Sequence, residues 1–587
     1  MCWQCLASGS NGYDGLEAPS RYRADAPTRF SADAPEPTAP RLHLVSTGDA
    51  RLDGLMSGFA WSSGDPVSFA FPDSSADYES FYGASEPARG FAAIGPAMRD
   101  AVRRILLGDA AGVGPGSPGA SVLGFTNLAL METGDDAWAD MRIARSSAPS
   151  TAWAYYPNGR EGGDVWFGSR SGFDTPRLGS YGFATAIHEI GHALGLKHAH
   201  ESSNGFAAMP IASDGLEFTV MSYRSRTGAS TTTGYTNGAY DYPQSWMMLD
   251  IAALQALYGA DYTLRAGDTR YGWDAATGET FIDGIGQGRP GDGAAGANRV
   301  FLTVWDGGGT DTYDLSNYAG GVNVDLAPGG WSVLSAAQLA VLDTRDGATA
   351  RGNVFNSLLH AANPASLIEN AVGGAGADTL LGNQAGNMLV GGGGADRLDG
   401  RDGADLLIGG AGADTLVGGP GHDRFVVDTV ADLVIEEAGG GLDTLLIETT
   451  AAVTLPAWVE ILRLGTAGRT GIGNAAPNLL VGGAGADLLD GAGGGDVIEG
   501  RGGNDTLIGG AGADSFVLRR GDGFDRIEDF APGQDRLTLT GFGLDAAAVL
   551  ARATAGAGGI TVDLGGGDGV FLAGLTAARL SASDLIL

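Results

Sequence analysis

Cysteine is almost missing from this 587-residue chain: Cys2 and Cys5 are the two present, so no disulfide framework can hold the fold. Their C-x-x-C spacing suits metal or redox chemistry. With no second pair and no framing strand or helix pattern, the two thiols read as structural or incidental. Basic residues are also scarce, 35 Lys and Arg against 69 Asp and Glu for a net charge of -34, which argues against nucleic acid or an anionic membrane as the main partner. No apolar run is long enough to span a bilayer, so no stable membrane insertion is expected. Residues Met1 to Gly12 lack a basic start and an apolar core and do not read as a secretory signal peptide. Glycine, in contrast, numbers 100 beside 23 prolines with no strict triplet period, which excludes collagen and demands some other repeat.

Residues 1–55, with Ala34-Pro35-Glu36-Pro37 at their densest, read as a flexible leader or propeptide. An ordered domain follows, assigned to 56–260. Val67 to Phe71 alternates as an outer strand would. Ile94, Met98, Val102 and Ile105 or Leu106 keep helical spacing over 91–107. Val122 to Leu130, Asp140 to Ala144, Ala152 to Tyr156 and Asp164 to Phe167 are expected as strands of one sheet, before a second helix at 183–194. This unit is therefore α/β. Beyond Gly259 the helical signal fades into short strands and Gly-rich turns, with 261–372 as a β-rich connecting part.

From Gly373 a nine-residue period G-G-x-G-x-D-x-U-x appears, U being a large apolar residue. Six units fill 373–426, with Asp378, Asn387, Asp396, Asp405, Asp414 and Asp423 at the sixth position. Five more fill 473–517, with Asn478, Asp487, Asp496, Asp505 and Asp514 there, and 427–472 is expected as intervening strands. Every unit keeps its apolar eighth residue, for instance Leu380, Leu389 and Leu398, which a low-complexity linker has no reason to do. Each unit is a turn plus a short strand with U inward, and two units make one coil of a parallel β-helix. The aspartates supply hard oxygen ligands suited to Ca²⁺, and without a cation the acidic stack would repel itself. The turns that carry Asn387 and Asn478 lack the carboxylate and are expected to bind calcium weakly or cap a block.

The strongest chemical pattern is His188-Glu189-Ile190-Gly191-His192-Ala193-Leu194-Gly195-Leu196-Lys197-His198. Two histidines four apart share a helix face, so both imidazoles can reach one ion. Gly195 can end the helix in a backbone conformation other residues avoid and bring His198 in as third ligand. Three neutral imidazoles suit Zn²⁺ better than Ca²⁺ or Mg²⁺. Glu189, beside the first ligand, can serve water at the metal as general base. His200 is read as a surface or supporting residue.

That motif, followed by Thr219-Val220-Met221-Ser222-Tyr223, resembles the metzincin zinc proteases, and with the Gly/Asp nonapeptides it resembles the serralysin-like secreted bacterial proteases over about 60–587. Gly163 to Phe167 and Leu249 to Gln255 add to the likeness. The resemblance implies an α/β metzincin-type catalytic domain followed by an all-β C-terminal domain with a calcium-binding parallel β-helix, the β-roll. It implies that Met221 forms a tight turn beneath the zinc and that Tyr223 is a displaceable fifth zinc ligand that hydrogen-bonds the oxyanion. It also implies that Ala152, Trp153, Ala154, Tyr155 and Tyr156 form the edge strand on which a protein or peptide substrate lies extended. Zn²⁺ and Ca²⁺ are the implied cofactors, Asp378, Asp396, Asp405, Asp414, Asp423, Asp487, Asp496, Asp505 and Asp514 the calcium ligands, and a zymogen the form first made. A Cys2 or Cys5 thiolate could then occupy the fourth zinc position of the latent enzyme. Ser583 to Leu587, within a β-rich cap at 518–587, resembles the terminal signal for a type I secretion channel, implying an extracellular monomer. The alternatives are an inactive calcium-binding surface or matrix protein of the same architecture and an export-linked toxin or adhesin. The intact zinc motif with Glu189 argues against the first, and the short repeat blocks against the second.

Overall fold

The computed structural model describes residues 40–42, 46–62, 65–79, 82–108, 119, 121–158, 161–169, 173–465 and 468–587. Cys2, Cys5 and the first 39 residues of the expected leader lie outside the described residues. The chain forms two compact units, one of 1–313 with 328–368 and the other of 314–327 with 369–587.

In the first unit a five-stranded sheet is built from β1 (Val67–Ala70), β2 (Leu130–Glu132), β3 (Met141–Ser146), β4 (Ala152–Ala154) and β5 (Val165–Gly168) in the order β2-β1-β3-β5-β4. All neighbours are parallel except β4, which runs antiparallel to β5 at the edge. Helix α1 (Pro96–Leu106) begins at a proline, whose missing N–H costs nothing at that position, and buries Met98, Val102, Ile105 and Leu106. Helices α2 (Tyr181–Ala193) and α3 (Met248–Tyr258) complete the layer, and both are apolar around most of their circumference because they run through the core. The strand expected over Val122 to Leu130 is corrected. Val122–Phe125 is one helical turn capped by Ser121, whose side chain accepts from Gly124 N, and the strand begins only at Leu130. A four-residue apolar run cannot by itself distinguish the two states.

Asp164, which precedes β5, is fully enclosed. Its carboxylate pairs with Arg142 at 2.7 Å and accepts from the Tyr82 hydroxyl at 2.5 Å, while the guanidinium lies 4.5 Å from the centre of the Tyr78 ring. Burial pushes the Asp164 carboxyl up to about 6 against the pull of Arg142.

The second unit is a parallel solenoid. One row of strands runs through Asn370–Val372, Met388–Gly394, Leu406–Gly412, Arg424–Val427, Thr444–Ile447, Ile461–Leu464, Leu479–Val481, Val497–Glu499, Ser515–Arg519, Arg536–Thr540 and Leu585–Ile586. A facing row runs from Asn323–Asp325 through Thr379–Leu381, Arg397–Asp399 and Thr415–Val417 to Leu433–Ile435, and a separate one from Val453–Thr454 to Phe524–Ile527. Within the repeats, paired residues are 18 apart, as in Leu398 with Leu416 and Leu489 with Leu507, which is two nonapeptides per coil. The apolar eighth residues Leu380, Leu389, Leu398, Leu407, Leu416, Phe425, Leu480, Leu489, Ile498, Leu507 and Phe516 are all fully buried. The segment between the blocks continues the first row without the glycine pattern, Thr444–Ile447 pairing with both Arg424–Val427 and Ile461–Leu464. Phe524–Ile527 and Arg536–Thr540 extend the solenoid's rows, and the antiparallel strands Ala553–Gly556, Gly559–Gly565 and Asp568–Ala573 follow.

Candidate functional site

Helix α2 starts at Ser180, whose hydroxyl accepts from Phe183 N, and its last carbonyls are satisfied by Trp61 Nε1 on Ala193 O at 2.9 Å and the Tyr258 hydroxyl on Leu194 O at 2.7 Å. Gly195 then turns the chain at φ +101°, and a Cβ there would stand 2.3 Å from the Phe59 carbonyl oxygen, so both conformation and space require glycine. The turn brings His198 back to His188 and His192. One ring nitrogen from each lies within 4.8 Å of the others, and all three side chains are buried.

The Nδ1 atoms of His188 and His192 are committed. His188 Nδ1 donates to Val220 O at 2.8 Å, His192 Nδ1 to Leu196 O at 2.7 Å, and His198 Nδ1 lies 3.0 Å from the Glu201 carboxylate. Each Nε2 therefore keeps a lone pair, and those of His192 and His198 are only 3.0 Å apart. Burial and the neighbouring imidazoles hold His188 well below its ordinary range and His192 at about 3, so these two rings stay neutral. Converging lone pairs in a buried site repel one another unless a cation lies among them, and three neutral imidazoles are the donor set that zinc takes.

The turn that carries Met221 and Tyr223 is anchored from α3. Asp250 accepts from Thr219 Oγ1 at 2.5 Å, Val220 N at 2.8 Å and Met247 N at 3.0 Å, and burial raises its carboxyl to about 7. Met221 is fully buried against α2, where a Cβ on Gly191 would meet its sulfur at 2.6 Å. The small residue inside the histidine motif thus makes room for the methionine. The Tyr223 ring centre lies 4.3 Å from that of His198 and 5.8 Å from that of His188. His200 lies 5.6 Å from His198 and 5.0 Å from Tyr223 between ring centres, and Lys197 is buried with its ammonium donating to the carbonyls of Gly54, Glu201 and Ala207.

Glu189 is buried on the same turn of α2 and faces a small cavity walled by Tyr181, His188, Leu216, Tyr223, Tyr235 and Tyr242. Ala152, Trp153 and Ala154 form the sheet edge, pairing with β5. Tyr155 and Trp153 both donate to Glu86 Oε1, at 2.6 and 3.0 Å, and Tyr156 sits edge-on to His192 with ring centres 5.6 Å apart. Asp250, Gly191, Glu201 and Lys197 escape sequence reasoning because their roles come from contacts across the fold rather than from spacing.

In the repeat turns the aspartates act in rows. Oδ1 of Asp396, Asp405, Asp414, Asp423, Asp487, Asp496, Asp505 and Asp514 accepts the backbone N–H of the residue 18 positions earlier, at 2.7–2.9 Å. Oδ2 of Asp396, Asp405, Asp414, Asp423, Asp496 and Asp505 is buried with no hydrogen-bond partner. Asp378 and Asp487 spend that second oxygen on Gly374 N and Gly483 N. Asn387 and Asn478 accept from Asn383 N and Asn474 N, reproducing the turn without the charge. Burial lifts Asp405 and Asp496 to about 7 and Asp396, Asp423 and Asp505 to about 6. Buried, unpartnered carboxylate oxygens in an all-oxygen setting fit calcium.

Fold and site together define a metzincin-type zinc-binding α/β domain joined to a calcium-binding β-solenoid. A family model described as Matrixin matches residues 141–212, and one described as RTX calcium-binding nonapeptide repeat (4 copies) matches 368–398, 390–425, 465–498, 472–507 and 490–525. The metallopeptidase AprA of Pseudomonas marginalis is 35% identical over 251 residues, covering 41% of this chain and 46% of that protein. A serralysin C of Dickeya chrysanthemi is 39% identical over 237 residues, covering 39% and 43%, and the serralysin of Proteus mirabilis 34% identical over 252 residues, covering 40% and 44%. The chain thus spans less than half the length of the curated relatives it matches. By its zinc motif, its repeats and these relatives the chain is similar to the serralysin proteases. A solved structure, the extracellular lipase LipA from Serratia marcescens, aligns over 40% of this chain and 44% of that one at 17% identity with a TM-score of 0.18, too low to carry any argument.

Proposed function

We propose that the protein is a secreted zinc endopeptidase that hydrolyses internal peptide bonds and whose C-terminal unit folds with calcium. The observation that carries the reading is the buried triad of converging Nε2 atoms with Glu189 on the same helix turn. His188, His192 and His198 would hold a zinc ion, which would supply a Lewis acid for the scissile carbonyl and lower the pKa of water. Glu189 takes the proton of the attacking water as its oxygen bonds to the carbonyl carbon, and returns that proton to the amine as the C–N bond breaks. Tyr223, beside His198, donates a hydrogen bond to the oxyanion. The edge strand β4 holds the substrate extended through backbone hydrogen bonds, which demand little sequence specificity.

An extracellular site of action accords with buried carboxylates that need calcium at about 10⁻³ M, a level found outside cells. Passage through a type I channel would use the segment ending in Asp584 to Leu587 before the solenoid forms.

The test is casein digestion by the full chain with calcium and zinc, with and without a metal chelator, beside Glu189→Ala. Turnover should vanish in the variant while zinc content, measured on the same preparation, stays at one ion per triad. Near-wild-type turnover of Glu189→Ala would remove Glu189 as general base.

A further inference from the structure

The last aspartate of the first repeat block is Asp423, and the next turn, 436–443, lies between the stretches that the repeat family model matches. Strands Thr415–Val417 and Leu433–Ile435 pair in register 18 apart, so Glu436 follows Ile435 as Gly418 follows Val417. A glutamate therefore stands where a repeat unit would place its first glycine. Its side chain folds back over the previous turn: a Cβ on Gly418 would lie 1.8 Å from Glu436 Oε1 and 2.5 Å from Asp423 Oδ2. Two extra residues in this turn deliver Asp443, whose Oδ1 accepts from Asp423 N at 2.8 Å across a 20-residue offset.

One carboxylate oxygen from each of Asp423, Glu436 and Asp443 lies within 4.8 Å of the other two. Asp423 and Asp443 are fully buried and Glu436 is 9% exposed. Their other oxygens are engaged, Asp423 Oδ1 by Asp405 N at 2.8 Å and Glu436 Oε2 by Glu437 N at 3.2 Å. Asp423 Oδ2, Glu436 Oε1 and Asp443 Oδ2 are buried with no hydrogen-bond partner. Three anionic groups crowded in this way without a counter-charge would each bear a desolvation cost.

We propose that Asp423, Glu436 and Asp443 form a calcium site outside the nonapeptide pattern, which closes the first block. The ligands are hard oxygens on a flexible turn, which suits Ca²⁺ better than the small octahedral Mg²⁺ or a nitrogen-seeking transition metal. Glu436 supplies by a side chain what a glycine turn can offer only as backbone carbonyl.

The experiment counts calcium ions bound to the full chain by equilibrium dialysis in excess calcium chloride. Glu436→Gln should bind one ion fewer than the unaltered protein, while Glu437→Gln, at an exposed neighbour, should bind the same number. An unchanged count in Glu436→Gln overturns the site. Should the variant not fold, crystals of the unaltered protein grown in calcium decide by anomalous scattering. A peak among the three carboxylates supports the site, and none there beside peaks at Asp496 and Asp514 overturns it while leaving the repeats as calcium turns. Peaks at neither place would overturn both.

Discussion

With calcium withheld, mild acid should take its place in the solenoid. The carboxyls of Asp405, Asp496 and Asp525 are held at about 7 and those of Asp396, Asp423 and Asp505 at about 6, all raised from the ordinary aspartate value of 3.8, with burial the largest cause. A folded pKa above the unfolded one means that the folded state binds more protons, so the contribution of these groups is fully present below about pH 4 and is lost as pH rises through 6 to 7. Shifts of roughly two to three units correspond to about 3–4 kcal/mol per carboxylate. Solvent around the turns screens such charges, and we reduce the figure to about 1 kcal/mol each. Six groups then give about 6 kcal/mol, comparable with the whole stability of an ordinary domain. About half of this is gained between pH 8 and pH 5, the rest only on approaching pH 4, so the urea midpoint of calcium-free protein, followed by far-ultraviolet circular dichroism of the full chain in calcium-free buffers, should rise by about 1 M between pH 8 and pH 5 for an m-value near 3 kcal/mol/M. In saturating calcium the same pH change should have little effect, because the ion already neutralises the carboxylates. Surface pairs such as Glu499 with Arg519, whose carboxyl is held below its ordinary value by the hydrogen bond from Arg519, lose strength only at lower pH and leave this window clear. A calcium-free midpoint that stays level or falls from pH 8 to pH 5 would refute the reasoning.

Tyr223→Phe should lower kcat by about 10²-fold with KM little changed, since an oxyanion donor acts in the transition state; equal kcat in steady-state assays of a folded variant would exclude that role. Gly195→Ala places a methyl 2.3 Å from the Phe59 carbonyl oxygen at φ +101° and should cost about 3 kcal/mol or more, read as a lowered thermal midpoint together with reduced zinc retention. Asp164→Ala strands the buried Arg142 guanidinium and should destabilise by about 3–5 kcal/mol in urea titration, and a loss below 1 kcal/mol would show that water reaches the pair.

The three histidines and Glu189 are legible in the sequence because helix geometry alone puts His188 and His192 on one face and a glycine lets His198 return. The repeat strands are legible for a similar reason, a fixed period with one inward residue. Asp250 is not, since the turn it holds lies some 30 residues away and nothing in a lone aspartate names its partners. Glu436 is hidden differently: the pattern looks for glycine at that position, and the residue works by departing from it. The same bias makes 427–472 look like a break between two blocks. The glycine and aspartate signature marks the turns, whereas the ladder itself needs only a buried apolar residue at each coil, and Leu445 and Leu462 provide it. Val122–Phe125 was open to either reading because four apolar residues are too few to display a period.

The last strand, Leu585–Ile586, is hydrogen-bonded as a rung beside Arg536–Thr540, and Asp584 accepts from Gly533 N at 2.8 Å and from Ser581. A strand stowed in this way is open to other backbone partners only while the ladder is unmade. Its backbone groups have one set of partners to offer, and coil formation commits them. Coil formation therefore works as a latch on this segment: its backbone is open to other partners only before the neighbouring coil closes, and afterwards the same residues are architecture.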